Sequence, residues 1–591
     1  MTRIVSAFLI SFVLIGLVAC GGGSSTPPPT PTPTLPVSPS SAAVALGNSQ
    51  TFSVSGASSI AWSLTGPGTI DQKGVYIAPS TFPGTGNNTA TITASTPTGN
   101  GVATAVVVFP NDNAGNEAVP IKLGTSGGNV NDNSTDGKFC CIGTLGSLIQ
   151  RGANTYILSN NHVLARSTLA KPGELIDQPG QAGCPQGSLG TNVATLSEQA
   201  SLKPATSTGP SPSNVDAAIA QIVPTAVDAT GAILDLGPAG TTSIAAAQPF
   251  ITPQDPKAAA AAGEHVAKSG RTTGLTCSTI QAFSVDGVPV QYDSSCKGPV
   301  AFTATFDGQV MVAGGTFSAG GDSGSLIVTA DTSAPLALLF AGSPTSTVGN
   351  PILDSVDTKG NPVKGVLSAF NNGTTPTFVG TATPHPVSCN PTAQVQSAQV
   401  GAQSAPMSAQ QQQIVAGVQA RQSQQLMLSE PAIRSVTVGA SADAPGQGVL
   451  VLHMSAVPKT RVPALVEGVR TKILYDEGIA APRITEPELD RGLVAKDNHR
   501  DEFKQQPGFQ GVGVGFSDDA PGESAIVIYT IAGQSHAAIP AVIDGVRTKI
   551  IESERFRSSG WNPQFERGGA CGKARAKSDL KDKLKLDVKV K

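Results

Sequence analysis

The chain has 591 residues, of which 39% are hydrophobic, 13% charged and 4% aromatic, with 66 glycines and 45 prolines. That length is too great for one compact core and implies several domains, while so many glycines and prolines with so few aromatics imply short strands joined by many turns. The 38 basic and 41 acidic side chains give a net charge of −3, which argues against a nucleic-acid binder, since such a protein needs a basic face for phosphates.

Arg3 precedes a mostly apolar run from Ile4 to Val18. At about 15 residues the run is short of the ~20 that cross a bilayer as a helix, so it reads as an export signal rather than a membrane span. It ends in Leu17-Val18-Ala19-Cys20, which resembles the lipobox of bacterial lipoproteins. The resemblance implies that residues 1–20 are the signal peptide and that Cys20 carries the lipid anchor. Residues 21–36, rich in Gly, Ser and Pro, then form a tether. No Asp follows Cys20 to mark inner-membrane retention, so the expected location is outer membrane-anchored, periplasmic or at the cell surface. A cytosolic enzyme is not expected, and in an oxidising compartment cysteine pairs form disulfides.

Residues 37–110 carry short alternating strands at 50–54, 60–64, 90–94 and 103–109, separated by Gly, Pro and Asn clusters, the pattern of a small β-sandwich. Trp62 and Gly74-Val-Tyr-Ile-Ala-Pro79 resemble bacterial immunoglobulin-like modules, which implies a spacer or, less simply, an adhesion module. Asn111 to Asp136 reads as a polar linker, because its acidic spacing does not match a calcium loop. From 121 to 373 the pattern is again β, with Gly-rich turns.

After Asn390 the composition changes, and Gln403 to Leu428 reads as a surface helix. A duplication follows. Asp443-Ala-Pro-Gly446 and Gly468-Val-Arg-Thr-Lys-Ile473 recur as Asp519-Ala-Pro-Gly522 and Gly545-Val-Arg-Thr-Lys-Ile550, offset by 76 and 77 residues. Two copies, over 402–474 and 495–555, predict a pseudo-symmetric pair of small α+β units rather than a solenoid, which needs at least three repeats. Their position directly after the β segment raises autoinhibition as one use for them. Residues 567–591 are a Lys-rich tail.

The chemistry lies in the middle segment. A strand runs into His162, Asp216 opens a short apolar strand, and Gly320-Gly-Asp-Ser-Gly-Ser325 presents Ser323 on a Gly-rich turn. A serine hydroxyl is a weak nucleophile at neutral pH and needs an imidazole to take its proton; a buried carboxylate fixes that imidazole's tautomer. Backbone N–H groups of Gly321 and Ser323 supply the donors an oxyanion needs. The order His, Asp, Ser is that of chymotrypsin-like enzymes rather than subtilisins or α/β-hydrolases.

His265-Val-Ala-Lys268-Ser-Gly-Arg271-Thr-Thr-Gly274 and the Gly-Asp-Ser-Gly turn together resemble the secreted bacterial serine proteases of the α-lytic and streptogrisin group. The resemblance implies a double β-barrel of chymotrypsin type and an ion pair between Lys268 and Asp322 beside the nucleophile. It also implies a disulfide bracketing His162, between Cys141 (or Cys140) and Cys184. Ala267 stands where the family has a cysteine, which leaves Cys277 to pair elsewhere, and Cys296 is the expected partner. Ser325 stands where most relatives have glycine. Phe317 occupies the place six residues before the serine where trypsin-like enzymes carry an acid, so a small or apolar residue is expected on the acyl side of the cleaved bond.

The fold class expected is therefore multidomain and mainly β: an Ig-like sandwich, a chymotrypsin-type double barrel, then two duplicated α+β units. The expected function is a lipid-anchored envelope serine endopeptidase acting on protein or peptide substrates, with no metal and no cofactor. The alternative is a catalytically silent protease-like binding or adhesion protein.

Overall fold

The computed structural model describes residues 35–57, 59–84, 87–97, 99–132, 142–180, 190–205, 215–294, 298–389 and 407–559. Cys20, Cys140, Cys141, Cys184, Cys296 and the 567–591 tail lie outside the described residues. The chain is mainly β and multidomain.

Near the N-terminus, strands Ser41–Ala45, Gly99–Val108, Thr89–Thr96 and Ala61–Thr65 form one sheet, and Ser49–Thr51, Val75–Ile77 and Thr69–Ile70 form another. Alternate residues of strand 99–108 point inward, the period a half-buried strand requires. They pack with Phe52, Trp62, Tyr76 and Ile92 into a core of their own.

The expected polar linker is in fact built into the next unit. Asn113 Nδ2 donates to the Gly124 carbonyl and to Ser269 Oγ, both at 2.8 Å, and Asn111 Nδ2 donates to the Thr272 carbonyl at 2.9 Å. Short amides here satisfy backbone groups of the strands they cross, so their polarity marks internal hydrogen bonding rather than solvent.

Two β layers make up that unit. In the first, antiparallel strands run in the order Gly143–Leu145, Thr125–Asn129, Leu175–Gln178, Thr191–Gln199, Ala218–Ile222, Asn154–Ser159, Ser147–Arg151, Thr377–Phe378. In the second, His265–Gly270, Gly274–Asp286, Gln309–Ala313, Ser346–Pro351, Pro335–Gly342 and Leu326–Thr329 each pair with the next, and the last pairs with the first. That ring of six is a closed barrel, an arrangement that leaves no bare edge. Strand 335–342 is buried at every position, which its continuous apolar sequence allows. The chain stays with this unit beyond Gly373: strand 377–378 pairs with Ile149 and Gln150, and Val387 N donates to the Ala330 carbonyl at 2.7 Å.

Each repeat is a helix followed by strands. The first has Ala409–Ser429, Ile433–Ala440, Gly448–Met454, Leu465–Val466 and Val469–Tyr475; the second has Glu486–Lys504, Phe509–Phe516, Ser524–Ile531, Val542–Ile543 and Val546–Ser553. The expected surface helix thus starts at 409, where Ser408 Oγ accepts from Gln411 N and caps it. The duplicated motifs pack reciprocally. Arg470 donates to the carbonyl and hydroxyl of Thr548, and Arg547 does the same to Thr471. Asp443 accepts from Ser517 Oγ and Asp518 N, and Asp519 accepts from Ser441 Oγ and Ala442 N. The second repeat does not stand apart: strand 509–516 pairs with strand 274–286, so its sheet continues the closed barrel.

Candidate active site

The eight-stranded sheet and the closed barrel meet where glycines let their backbones touch. A Cβ on Gly146 would strike the Gly324 carbonyl, and one on Gly143 would collide with Val163 and the Ser323 carbonyl. Gly143 therefore lets the loop carrying His162 close on the turn carrying Ser323. Thr144 N donates to the Ser323 carbonyl at 2.8 Å and fastens the contact.

His162 lies in a one-turn helix, Asn161–Leu164, that follows strand 154–159. Its Nδ1 is 2.7 Å from Asp216 Oδ2, and its backbone N donates to Asp216 Oδ1 at 3.2 Å. A carboxylate only accepts, so Nδ1 carries the proton and Nε2 presents its lone pair. Nε2 is buried and has no hydrogen-bond partner among the described residues. Asp216 is fully buried and takes a further bond from Tyr292 Oη at 2.8 Å. Burial, then the Asp216 charge, raises the Tyr292 phenol well above its ordinary range, so it remains a donor. Asn160 Nδ2 holds the Asp216 carbonyl at 2.8 Å and Asn350 Oδ1 accepts from Asp216 N.

Ser323 sits on a turn in which Gly321 and Gly324 both have φ +97°, a region closed to most side chains. Thr272 Oγ1 holds the Gly320 carbonyl at 2.7 Å, and Ser325 N and Oγ hold the Asp322 carbonyl at 3.0 and 2.6 Å. In a trans peptide the N–H points opposite to the carbonyl, so Gly321 N–H and Ser323 N–H face away from those anchors. Neither has an acceptor among the described residues. Ser325 thus closes the turn through its hydroxyl at the place where a glycine was expected.

Lys268 and Asp322 are both fully buried, with Nζ 3.5 Å from Oδ2. Their contact is relayed: Thr273 Oγ1 accepts from Lys268 Nζ and donates to Asp322 Oδ2 at 2.7 Å, while Nζ also donates to the Gly274 carbonyl at 2.9 Å. Burial lowers the Lys268 ammonium and the Asp322 charge opposes that shift. Asp322 accepts further from Thr272 N, Thr273 N and Ala319 N. The Arg271-Thr-Thr segment is therefore a clamp on the aspartate beside the nucleophile. Phe317 is buried in the core of the closed barrel.

One expected pairing is corrected. Cys277 bonds to Cys389, with Cα atoms 5.8 Å apart, and not to Cys296. The reason is the return of the chain after 373. Val387 bonds to Ala330, and Ala330 N to the His265 carbonyl; Ala267 on that same strand lies directly opposite Cys277. Cys389 is thereby delivered to Cys277, a relation that sequence spacing does not encode.

Tyr292, Asn350 and Thr144 are site residues that the sequence did not single out, and Thr273 was read only as part of the Arg271-Thr-Thr-Gly274 motif. The least expected partner comes from the far end of the described chain. Ser323 Oγ donates to the carbonyl of Ser558 at 3.3 Å, and no Ser323–His162 hydrogen bond is present.

No family model matches this chain, and none of the curated proteins compared with it matches. Among solved structures it is similar to Thermobifida fusca Protease A, at 18% identity over 39% of this chain and 91% of that one, with a TM-score of 0.24. It is also similar to an alpha-lytic protease homolog, N4, at 19% identity over 36% of this chain and 87% of that one, with a TM-score of 0.22. Likenesses of that size add no weight to the geometry above.

Proposed function

We propose that the chain is a serine endopeptidase of the bacterial envelope, held to the membrane by lipid on Cys20, and that it hydrolyses peptide bonds through an acyl-enzyme on Ser323. The observation that carries this reading is the Asp216–His162 pair, whose unpartnered Nε2 lies on the loop that closes against the Ser323 turn. In the proposed mechanism His162 takes the Ser323 proton during attack and returns it to the leaving amine. Asp216 orients the imidazole and stabilises its cation, with Tyr292 and the His162 backbone N–H fixing the carboxylate. Gly321 N–H and Ser323 N–H receive the oxyanion, and Lys268 with Asp322 supports their loop.

The test is labelling by a fluorophosphonate probe, which needs an activated hydroxyl but no guess about substrate. It is run on the full chain and on Phe556→Asp, where a charge at a buried anchor draws residues 556–559 away from Ser323. Labelling of Phe556→Asp that vanishes when Ser323→Ala or His162→Ala is added supports the reading. A folded Phe556→Asp chain that takes no label overturns it.

A further inference from the structure

Residues Phe556–Arg557 form a strand inserted between two strands of the catalytic unit. Phe556 and Arg557 pair in parallel with Val290 and Gln291, and Arg557 pairs antiparallel with Gly342 at the end of strand 335–342. Ser558 N donates to the Gln291 carbonyl at 3.1 Å. Phe556 is fully buried among Val290, Tyr292, Phe340 and Tyr529. Arg557 and Ser559, on the same side of the extended chain, both reach Asp293: Nη2 to Oδ1 at 3.4 Å and Oγ to Oδ2 at 2.6 Å. The segment is thus held by main-chain pairing and by side-chain anchors, as an extended peptide is held when it adds a strand to a sheet. Its Ser558 carbonyl is the group placed against the Ser323 hydroxyl.

We infer that this enzyme's first substrate is its own chain, and that Ser323 cleaves the Ser558–Ser559 bond in cis. The inference rests on the protease reading above. From the contact seen, the Ser323 hydroxyl turns from the Ser558 oxygen toward His162 Nε2, and that oxygen shifts onto Gly321 N–H and Ser323 N–H. Ser323 Oγ then adds to the Ser558 carbonyl carbon as Nε2 takes the hydroxyl proton. The C–N bond to Ser559 then breaks, with that proton passing to the Ser559 nitrogen, and an ester joins Ser558 to Ser323. Water, deprotonated by His162, hydrolyses the ester to a Ser558 carboxylate and regenerates the serine. The products are a chain ending at Ser558 and the peptide 559–591. The residue on the acyl side is small and uncharged, as the buried Phe317 at the trypsin acid position leads one to expect. Because strand 509–516 joins the second repeat to strand 274–286, the repeat delivers the segment intramolecularly, at an effective concentration no separate peptide matches. Until it leaves, the segment fills the acyl side of the groove against other substrates.

The experiment is intact mass and N-terminal sequencing of the full chain after incubation, beside Ser323→Ala and Ser559→Pro. A proline at 559 removes the leaving-side N–H and stiffens the residue before it, while leaving 556–558 in place. The expected result is complete conversion of the parent to a chain lacking 559–591, with a new N-terminus at Ser559, and a single uncleaved chain in both variants. An uncleaved parent overturns the inference. Fluorophosphonate labelling of Phe556→Asp then separates the two readings: labelling leaves the protease reading standing with 556–559 as a ligand only, and no labelling removes both. The same fragment from Ser323→Ala overturns cis cleavage as well.

Discussion

At the scale of single residues, His162, Asp216 and Ser323 stood out because each sits in a short local motif, whereas the groups that hold them did not. Tyr292 is 76 residues from Asp216 in sequence, on a strand with no signature, yet its hydroxyl bonds the carboxylate directly. A hydrogen bond to a charged group contributes about 1.5–3 kcal/mol. Tyr292→Phe is therefore expected to lower kcat about 10- to 100-fold with KM little moved; unchanged kcat would reduce Tyr292 to packing. Asp132 yields a pH prediction. Burial raises its carboxyl from 3.8 to about 7, against the opposing charge of Arg166. The folded chain thus holds a proton that the unfolded chain releases, so this group's stabilisation is complete below about pH 4 and is lost as pH rises through about 7. Asp132→Asn cannot ionise. Thermal unfolding should show it more stable than the parent at pH 8, by up to about 4 kcal/mol at ~1.4 per pKa unit, and near the parent at pH 4. Equal offsets at both pH values would contradict this.

Among the elements, strand existence was legible from alternation and turn residues, and the duplication from its motifs. Two things were not. Which strands close into the six-membered ring depends on pairings far apart in sequence, such as 265–270 with 326–329. The Cys277–Cys389 bond depends on the returning segment after 373 in the same way. The glycines at the barrel junction are a sharper case, since nothing local distinguishes Gly146 from Gly152. Gly152 is at φ +61° with open space around it, whereas a Cβ on Gly146 would meet the Gly324 carbonyl. Gly152→Ala is expected to cost about 1–2 kcal/mol of conformational strain and leave probe labelling intact. Gly146→Ala, by overpacking, is expected to cost about 1–3 kcal/mol and also to lose labelling, because the carbonyl it displaces belongs to the residue after Ser323. Equal labelling in the two variants would show that the junction does not set the site.

Over the whole molecule, the repeats are coupled to each other and to the barrel. Arg470 and Arg547 exchange equivalent bonds across the pair, and Asp286 of the barrel strand receives Lys496 at 2.7 Å and Arg500 at 3.3 Å from the second repeat's helix. Position directly after the β segment raised autoinhibition as one use for the repeats, but the segment that reaches Ser323 lies beyond both motifs and carries no signal of its own. The measurement that bears most directly on the catalytic reading is hydrolysis of a small activated ester by the Phe556→Asp chain, alone and with Ser323→Ala, His162→Ala or both. Residues acting as one catalytic unit lose their effect together, so each single change is expected to remove roughly 10³-fold or more and the pair no further amount. Losses that are small, or that multiply as independent factors, would contradict a Ser323–His162 catalytic unit.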